Sequence, residues 1–507
     1  MTDSSVGILR AIERLGNRLP EPAWLFVWFC GLVLVLSLVC SLLDISALHP
    51  VTGETIIAKN LISGDGLRWI VTHTVSNFTS FAPVGTVLVA IMGIGIAEHS
   101  GLLAALLRML VTHSPEKLLT FFVVLAGVLS SLAADAGYVV LIPIAAMVFL
   151  AAGRPPMAGI AAAFAGVSGG FSANLLIGPL DAILAGISTE AVGLVASDYT
   201  VNAAGNYYFI VASTLLVALL GTWVTEKLVM PGFVAEHKNL NQQTSAEFSD
   251  TTVSAKDKTA LKYCGWFSLV FIFLLCLVVV PEQGLLRDPL THSLLKSPFI
   301  NGIVTLIALY AALVGIIFGK VSGRFSSHRN IIEGMEKSMA TMASYLVLMF
   351  FAAQFVNYFA WTELGAILAI HGATWLSSLG LGVTLTMVGF IVLAALINLL
   401  IGSASAKWAL LAPVFVPMFY LLGITPEASQ MAYRIGDSTT NIITPLMPYF
   451  GVVVAFAQRY QRDIGIGTIM ATMLPYSFVF LLGWSLLLVV WIALGLPLGP
   501  GAAIQVN

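Results

Sequence analysis

Arg434, Asp437 and Asn441 lie three and four residues apart in YRIGDSTTN, so a helix through this segment carries them along one face. An arginine there can hold a carboxylate through two parallel hydrogen bonds. An aspartate there can hold a cation or carry a proton, or the Arg434 and Asp437 side chains can pair and simply brace a bundle. Upstream, GSASAKW (402–408) supplies small residues for a tight hairpin tip and opens a helix whose first amides favour an anion. Ser405 can donate to that anion. Trp408 can stack on an aromatic ring or pack at a protein–lipid boundary. Lys407 is a second anion contact or a side chain that snorkels to water. Asn398, next to Ala394 and Ala395, precedes the tip. Its side-chain oxygen, freed backbone carbonyls and Asp437 could together bind Na+ as unwound helices do, or Asn398 could be hydrogen-bonding glue between helices. In the first half, Asp181 follows Pro179 and Asp135 sits in SSLAADAG. Each is a candidate ligand or proton carrier, and Asp181 could also cap the helix it opens. Ser172 and Asn174 are weaker candidates there, and His371 reads as a loop residue.

These side chains sit in a stretch, 398–450, that is otherwise apolar and is broken by Gly402, Gly423, Pro445 and Pro448. Charges at membrane depth are costly and usually face a cavity. Irregular backbone at that depth is tolerated only inside protein or beside water. Both features together point to a small-molecule pathway built from interrupted helices. Composition agrees: 58% of the 507 residues are hydrophobic and 9% charged, against about 25% charged in a soluble domain, and the mean hydropathy is +0.96. The net charge of −2 gives no sign of nucleic-acid binding. Cys30, Cys40, Cys264 and Cys276 fall in apolar segments without metal-ligand spacing. The first apolar run, after Pro22, is too long for a cleavable signal. No cofactor beyond a bound ion is expected.

The elements that must position these groups occur twice. DAGYVVLIP (135–143) aligns with SAKWALLAP (405–413), and Pro143 and Pro413 lie 270 residues apart. Tyr138 then faces Trp408, and Pro156 faces Pro426. Farther on, GGFSANLLIGPL (169–180) aligns with IGDSTTNIITPL (435–446), setting Ser172 against Ser438 and Pro179 against Pro445. The expected fold is an all-α polytopic membrane protein of nine spans plus two re-entrant hairpins. Its parts are spans and interfacial helices at 1–112, a first repeat at 113–229, a polar loop at 230–262, scaffold spans at 263–380, a second repeat at 381–457 and a last span at 458–507. Each full span has roughly the ~20 residues a crossing needs. With the N-terminus inside, only Lys59, Arg68, Arg287 and Lys296 of the 23 lysines and arginines fall outside, and Lys407 and Arg434 stay at membrane depth. The positive-inside rule favours that orientation, which turns the two repeats opposite ways, an arrangement many secondary transporters use for alternating access.

Long segments resemble the AbgT family, the p-aminobenzoyl-glutamate transporters and their antimetabolite-exporting relatives. They include ERLGNRLPEP, NFTSFAPVG (77–85), SANLLIGPLDAILAGIST, GSASAKWALLAPVFVPMF, YRIGDS and the terminal GLPLGPG. The resemblance implies nine helices and two hairpins. It implies a homodimer in a bacterial inner membrane with a bowl open to the cytoplasm, and a secondary transporter, not an enzyme. The family's functional positions fall on Asp181, Ser405, Trp408, Pro426, Arg434 and Asp437. A family sodium site falls on Asn398 and Asp437 with carbonyls near Ala394 and Ala395. Pro426 enters only as a repeat match and through this resemblance. The tip LAADAGYVVLIP is closer to exporter-like members. Substrates implied are p-aminobenzoyl-glutamate, p-aminobenzoate and sulfonamides, with H+ or Na+ as coupling ion. Two other readings stay open at this point. A dicarboxylate carrier would transport succinate or citrate and be indifferent to Trp408→Ala. An intramembrane hydrolase would need two of Asp135, Asp181 and Asp437 in contact as an acid pair.

Overall fold

The computed structural model describes residues 22–48, 53–112, 114–132, 137–237, 254–294, 297–444, 447, 449–462 and 464–506. Asp135, Pro445 and Pro448 lie outside the described residues. The described chain is overwhelmingly helical. A small hairpin of β1 (Ser46–Leu48) and β2 (Thr55–Ile57), with Ala47 opposite Ile56, links α1 (Pro22–Leu42) to α2 (Gly64–Thr79). Pro83 in its first turn starts α3 (Ala82–His99), and α4 (Leu102–Thr112) follows.

The next elements come in an order that recurs. Helix α5 (Leu119–Leu129) ends in a short turn, Ser130–Leu132, and the chain resumes at Gly137–Leu141 into α6 (Ile142–Ala151). Helix α7 (Pro156–Phe164) runs on through Ala165–Gly169, breaks, and restarts as α8 (Pro179–Val192), with α9 (Tyr207–Val224) behind it. A second scaffold comprises α10 (Ala255–Val279), α11 (Ile303–Ser322), α12 (His328–Thr341), α13 (Ala343–Trp361) and α14 (Leu364–Ser378). Then α15 (Val383–Asn398) and α16 (Ala404–Leu421) flank a tip. Helix α17 (Pro426–Thr440) breaks before α18 (Phe450–Tyr460), and α19 (Ile466–Ala493) closes the helical part. Among the described residues eight helices are long and apolar enough to cross a membrane, or ten if each sharply bent pair is one span.

Contacts fix how corresponding elements run past each other. Thr225 touches Tyr476, Ser213 touches Trp484, and Phe209 packs on Trp491. Numbers falling along α9 meet numbers rising along α19, so the two helices are antiparallel. The same holds for the broken spans, where Asp181 meets Arg434, Ser172 meets Ser438 and Ser168 meets Met447. Ser172 and Ser438, matched in the sequence alignment, are therefore direct neighbours.

Three expectations change. His371 is not in a loop: LGAILAIHGATWL is apolar enough to form α14, which buries Ile367, Ile370 and Ala373. The His371 Nε2 lies 3.2 Å from the Ser46 carbonyl oxygen. Helix α10 begins at Ala255, inside the expected polar loop, because Ser254 Oγ accepts from Asp257 N at 3.1 Å and caps it. Helix α12, an amphipathic segment between scaffold spans, had no counterpart in the sequence reading.

Helices α15 and α17 pack closely because Gly436 has no side chain. A Cβ there would stand 2.4 Å from the Ile391 carbonyl oxygen and 2.8 Å from Ala394 Cβ. Backbone cannot yield locally, so Gly436→Ala should cost about 1–3 kcal/mol. A lower midpoint of thermal unfolding in detergent, together with reduced transport, is the expected result.

Candidate functional site

All fifteen residues of α17, PEASQMAYRIGDSTT, are buried, although most are polar or small. Such a helix is stable only if its polar groups find partners on neighbouring elements. Pro426 occupies its first turn and Thr425 caps it, accepting from Ala428 N at 3.4 Å. Pro426 thus sets where the helix starts, eight residues or about 12 Å before Arg434, and does not touch the charged groups.

Two stripes of α17 serve two different neighbours. The stripe Gln430, Arg434, Ser438, four residues apart, faces the broken span of the first half. Ser188 Oγ lies 2.8 Å from Gln430 Oε1. Arg434 Nη1 donates to Asp181 Oδ1 at 2.6 Å, and its Nη2 donates to the Ser172 carbonyl at 3.0 Å. Ser172 N donates to Ser438 Oγ at 3.1 Å. Both peptide groups of Ser172, in the irregular backbone between α7 and α8, are therefore bonded by side chains from the other half, as buried non-helical backbone at membrane depth needs partners. Asp181 also keeps its capping role, since its Oδ2 accepts from Gly178 N at 2.7 Å. Arg434 Nε and Ser172 Oγ are buried without a hydrogen-bond partner among the described residues.

The other stripe, Tyr433, Asp437 and Asn441, faces the second hairpin. Asp437 Oδ1 lies 2.5 Å from Lys407 Nζ, and both side chains are buried. The Lys407 ammonium also contacts Asn398 Oδ1. Asn398 Nδ2 sits within reach of Asp437 O at 2.6 Å, Thr440 Oγ1 at 2.8 Å and Asn441 Oδ1 at 2.9 Å. The Tyr433 hydroxyl lies 2.5 Å from Ala404 O and 3.2 Å from Asp437 Oδ1.

Arg434 and Asp437 thus point to different partners and do not pair with each other. Lys407 neither snorkels nor lines a cavity: it is 0% exposed, with its charge turned inward on Asp437. The sodium expected on Asn398 and Asp437 does not fit this arrangement, because the ammonium already stands against both oxygens. Of the carbonyls expected to complete that site, Ala395 O accepts from Thr440 Oγ1 at 3.2 Å, and Ala394 is buried within the regular α15. Trp408 is also inside, stacked on Tyr433 at 4.6 Å, with its indole N–H 3.0 Å from Ser188 Oγ and 3.2 Å from Leu184 O. It joins α16 to α8 and does not face open space in this conformation.

The open space lies beside this core. A cavity of ≈ 680 Å³ is lined by Ser403 and Ser405 from the second tip, Ser131 and Leu132 from the first, and Pro179, Leu180 and Ile183 from α8. Glu98 and His99 of α3 and Lys337 and Tyr345 of the second scaffold complete its wall. Behind it, past Ser131, Leu132, Phe171, Pro179 and Leu180, a pocket of only ≈ 20 Å³ reaches Asp181, Arg434 and Asn174. Asn174 Nδ2 donates to Ser131 Oγ at 2.8 Å, tying the first tip to the break. Ser405 and Arg434, expected to grip one group together, are separated here by this constriction. Asp181 and Asp437 each hold their own cation, so they form no acid pair. Tyr433, Ser188 and Gln430 escaped the sequence reading; their signal was a polar helix with no room in it for exposure.

The geometry agrees with three comparisons. Residues 7–506 match the family model described as "AbgT putative transporter family". The chain is 36% identical over 490 residues to the p-aminobenzoyl-glutamate transport protein of Escherichia coli (strain K12), covering 97% of this chain and 95% of that one. The crystal structure of the Alcanivorax borkumensis YdaH transporter superimposes with a TM-score of 0.90 at 56% identity, covering 95% of this chain and all of that one. Neisseria gonorrhoeae MtrF, from a class of antimetabolite efflux pumps, does so with a TM-score of 0.90 at 46% identity over 98% of this chain. With residues 7–506 matched by the family model and a relative 36% identical over 97% of the chain, the chain belongs to the AbgT family of membrane transporters.

Proposed function

We propose that this chain moves acidic aromatic amides and acids of the p-aminobenzoyl-glutamate type, and antimetabolites of similar shape such as sulfonamides, across a bacterial inner membrane by secondary active transport. The observation that carries this is the buried Arg434–Asp181 pair at the end of a constriction behind a ≈ 680 Å³ cavity. Cavities of about 300–1,000 Å³ suit ligands of this size, and a guanidinium with a free Nε is suited to a carboxylate once Asp181 yields. The 46% identity to MtrF, from a class of antimetabolite efflux pumps, favours efflux. The antiparallel passage of α7–α8 by α17 supports an inverted repeat whose halves rock to expose the pair to either side. With the N-terminus inside, the wide cavity opens to the cytoplasm. Helix α10, of whose membrane window 6% is buried within one chain, leaves surface for lipid and for the second copy of a homodimer.

Flux of radiolabelled p-aminobenzoyl-glutamate and of a sulfonamide in vesicles tests this. Transport should depend on an imposed ion gradient and vanish in Asp181→Ala and Arg434→Ala; unchanged flux in both variants would overturn it. Imposed Na+ and H+ gradients, applied separately, identify the coupling ion. Lys337 is exposed on the cavity wall. Its field should draw in anionic substrate, so Lys337→Glu is expected to raise KM about 3- to 10-fold for an anionic substrate at low salt, leave thermal stability unchanged, and lose its effect as salt screens the charge.

A further inference from the structure

We propose that Lys407 is a cation built into the chain, standing where a free alkali ion would otherwise sit, so that a sodium site appears at Asp437 only when the lysine is removed. An ammonium in the first turn of α16 meets the positive end of that helix's dipole and lies fully buried in a membrane protein, where a charge is costly without a partner. No neighbour along α16 compensates it. The compensation comes from two other helices: Asp437 Oδ1 of α17 at 2.5 Å, and Asn398 Oδ1 of α15. The hydroxyl of Tyr433 donates to the same carboxylate oxygen at 3.2 Å and holds it in place. These are hard oxygen donors around one compact positive charge, the set a small alkali ion takes. One acceptor is still in hand: Asp437 Oδ2 is buried with no hydrogen-bond partner among the described residues.

Removing the ammonium leaves a buried carboxylate and an amide oxygen around a gap. An uncompensated buried carboxylate is costly, so the gap should draw a cation from solution, and a ligand that binds only the folded state raises the unfolding midpoint by mass action. The inference does not depend on which substrate the chain carries, because its readout is folding and not transport.

The test is thermal unfolding of the purified, detergent-solubilised full chain in NaCl and in choline chloride of equal concentration. The wild type should melt at the same temperature in both salts. Lys407→Ala should melt lower in choline and regain several degrees in NaCl, along a saturating curve that Lys407→Ala/Asp437→Asn abolishes. Lys407→Met, which keeps the volume of the stem, should behave like Lys407→Ala, and Lys407→Arg should stay indifferent to sodium. Variants that fold only when sodium is present support the proposal equally. It is overturned if the wild type gains a saturating sodium response that Asp437→Asn removes, if Lys407→Ala melts identically in both salts, or if Lys407→Ala and Lys407→Met fail to fold in either salt.

Discussion

Arg434→Ala is expected to reduce transport to background and to lower stability by about 3–5 kcal/mol, the usual cost of stranding one member of a buried ion pair. The stranded group is Asp181, 4% exposed, whose Oδ1 would lose its 2.6 Å partner while the Ser172 carbonyl loses its donor. Asp181→Asn, nearly isosteric, should also fail in transport, because Arg434 is then buried without a counter-charge. The informative variant is the double replacement Asp181→Leu/Arg434→Met. Apolar residues of similar volume often restore or exceed the stability of a buried pair, so this protein should melt near the wild type yet carry nothing. Thermal unfolding and flux, measured on the same preparation, separate the two roles: stability recovered without flux is the result expected if the pathway needs a guanidinium at the meeting of the halves.

Trp408→Ala is expected to be the most damaging single change outside the ion pairs. Trp408 is fully buried and belongs to three contacts at once: the stack on Tyr433, the hydrogen bonds to Ser188 and Leu184, and the packing of α16 on α8. Truncating a buried tryptophan costs about 3–5 kcal/mol. The loss also frees the second hairpin from the restarted helix of the first half, so Tyr433 and Asp437 lose their alignment with the tip. Trp408→Phe should recover most of the packing and stacking but not the hydrogen bonds. A melting temperature between those of Trp408→Ala and wild type, with transport only partly regained, is the expected outcome. A Trp408→Ala protein as stable as the wild type would show that the indole is not a structural tie.

Much of this arrangement was legible in the sequence because breaks at membrane depth need glycine, proline and small polar residues. GSASAK announced its interruption, and the matched Ser172 and Ser438 proved to be hydrogen-bonded neighbours. The polar residues of α17 stood out against an apolar background. Their partners did not. Arg434 and Asp437 lie three positions apart, and that spacing permits a shared partner. Only the packing of α8 on one side of α17 and of the second hairpin on the other decides that Arg434 takes Asp181 and Asp437 takes Lys407. Lys407 was the least legible residue. A lysine near a helix start reads as snorkelling or anion-binding, and nothing local reveals that Asn398 and Asp437 converge on it from two other helices. The surroundings of Trp408 were hidden for a related reason: an indole beside a hairpin tip suits a ligand ring, and the ring it stacks on here is Tyr433. Helix α14 was not expected because His371 lies outside the repeated segments and reads there as a loop residue.

Equilibrium binding of p-aminobenzoyl-glutamate to purified wild type and to Asp181→Leu/Arg434→Met, at matched folded fraction, bears most directly on the claim that the guanidinium between the two halves is the carboxylate's anchor. Saturable binding by the wild type and none by the equally folded double variant is the predicted result; equal affinities in the two proteins would contradict it.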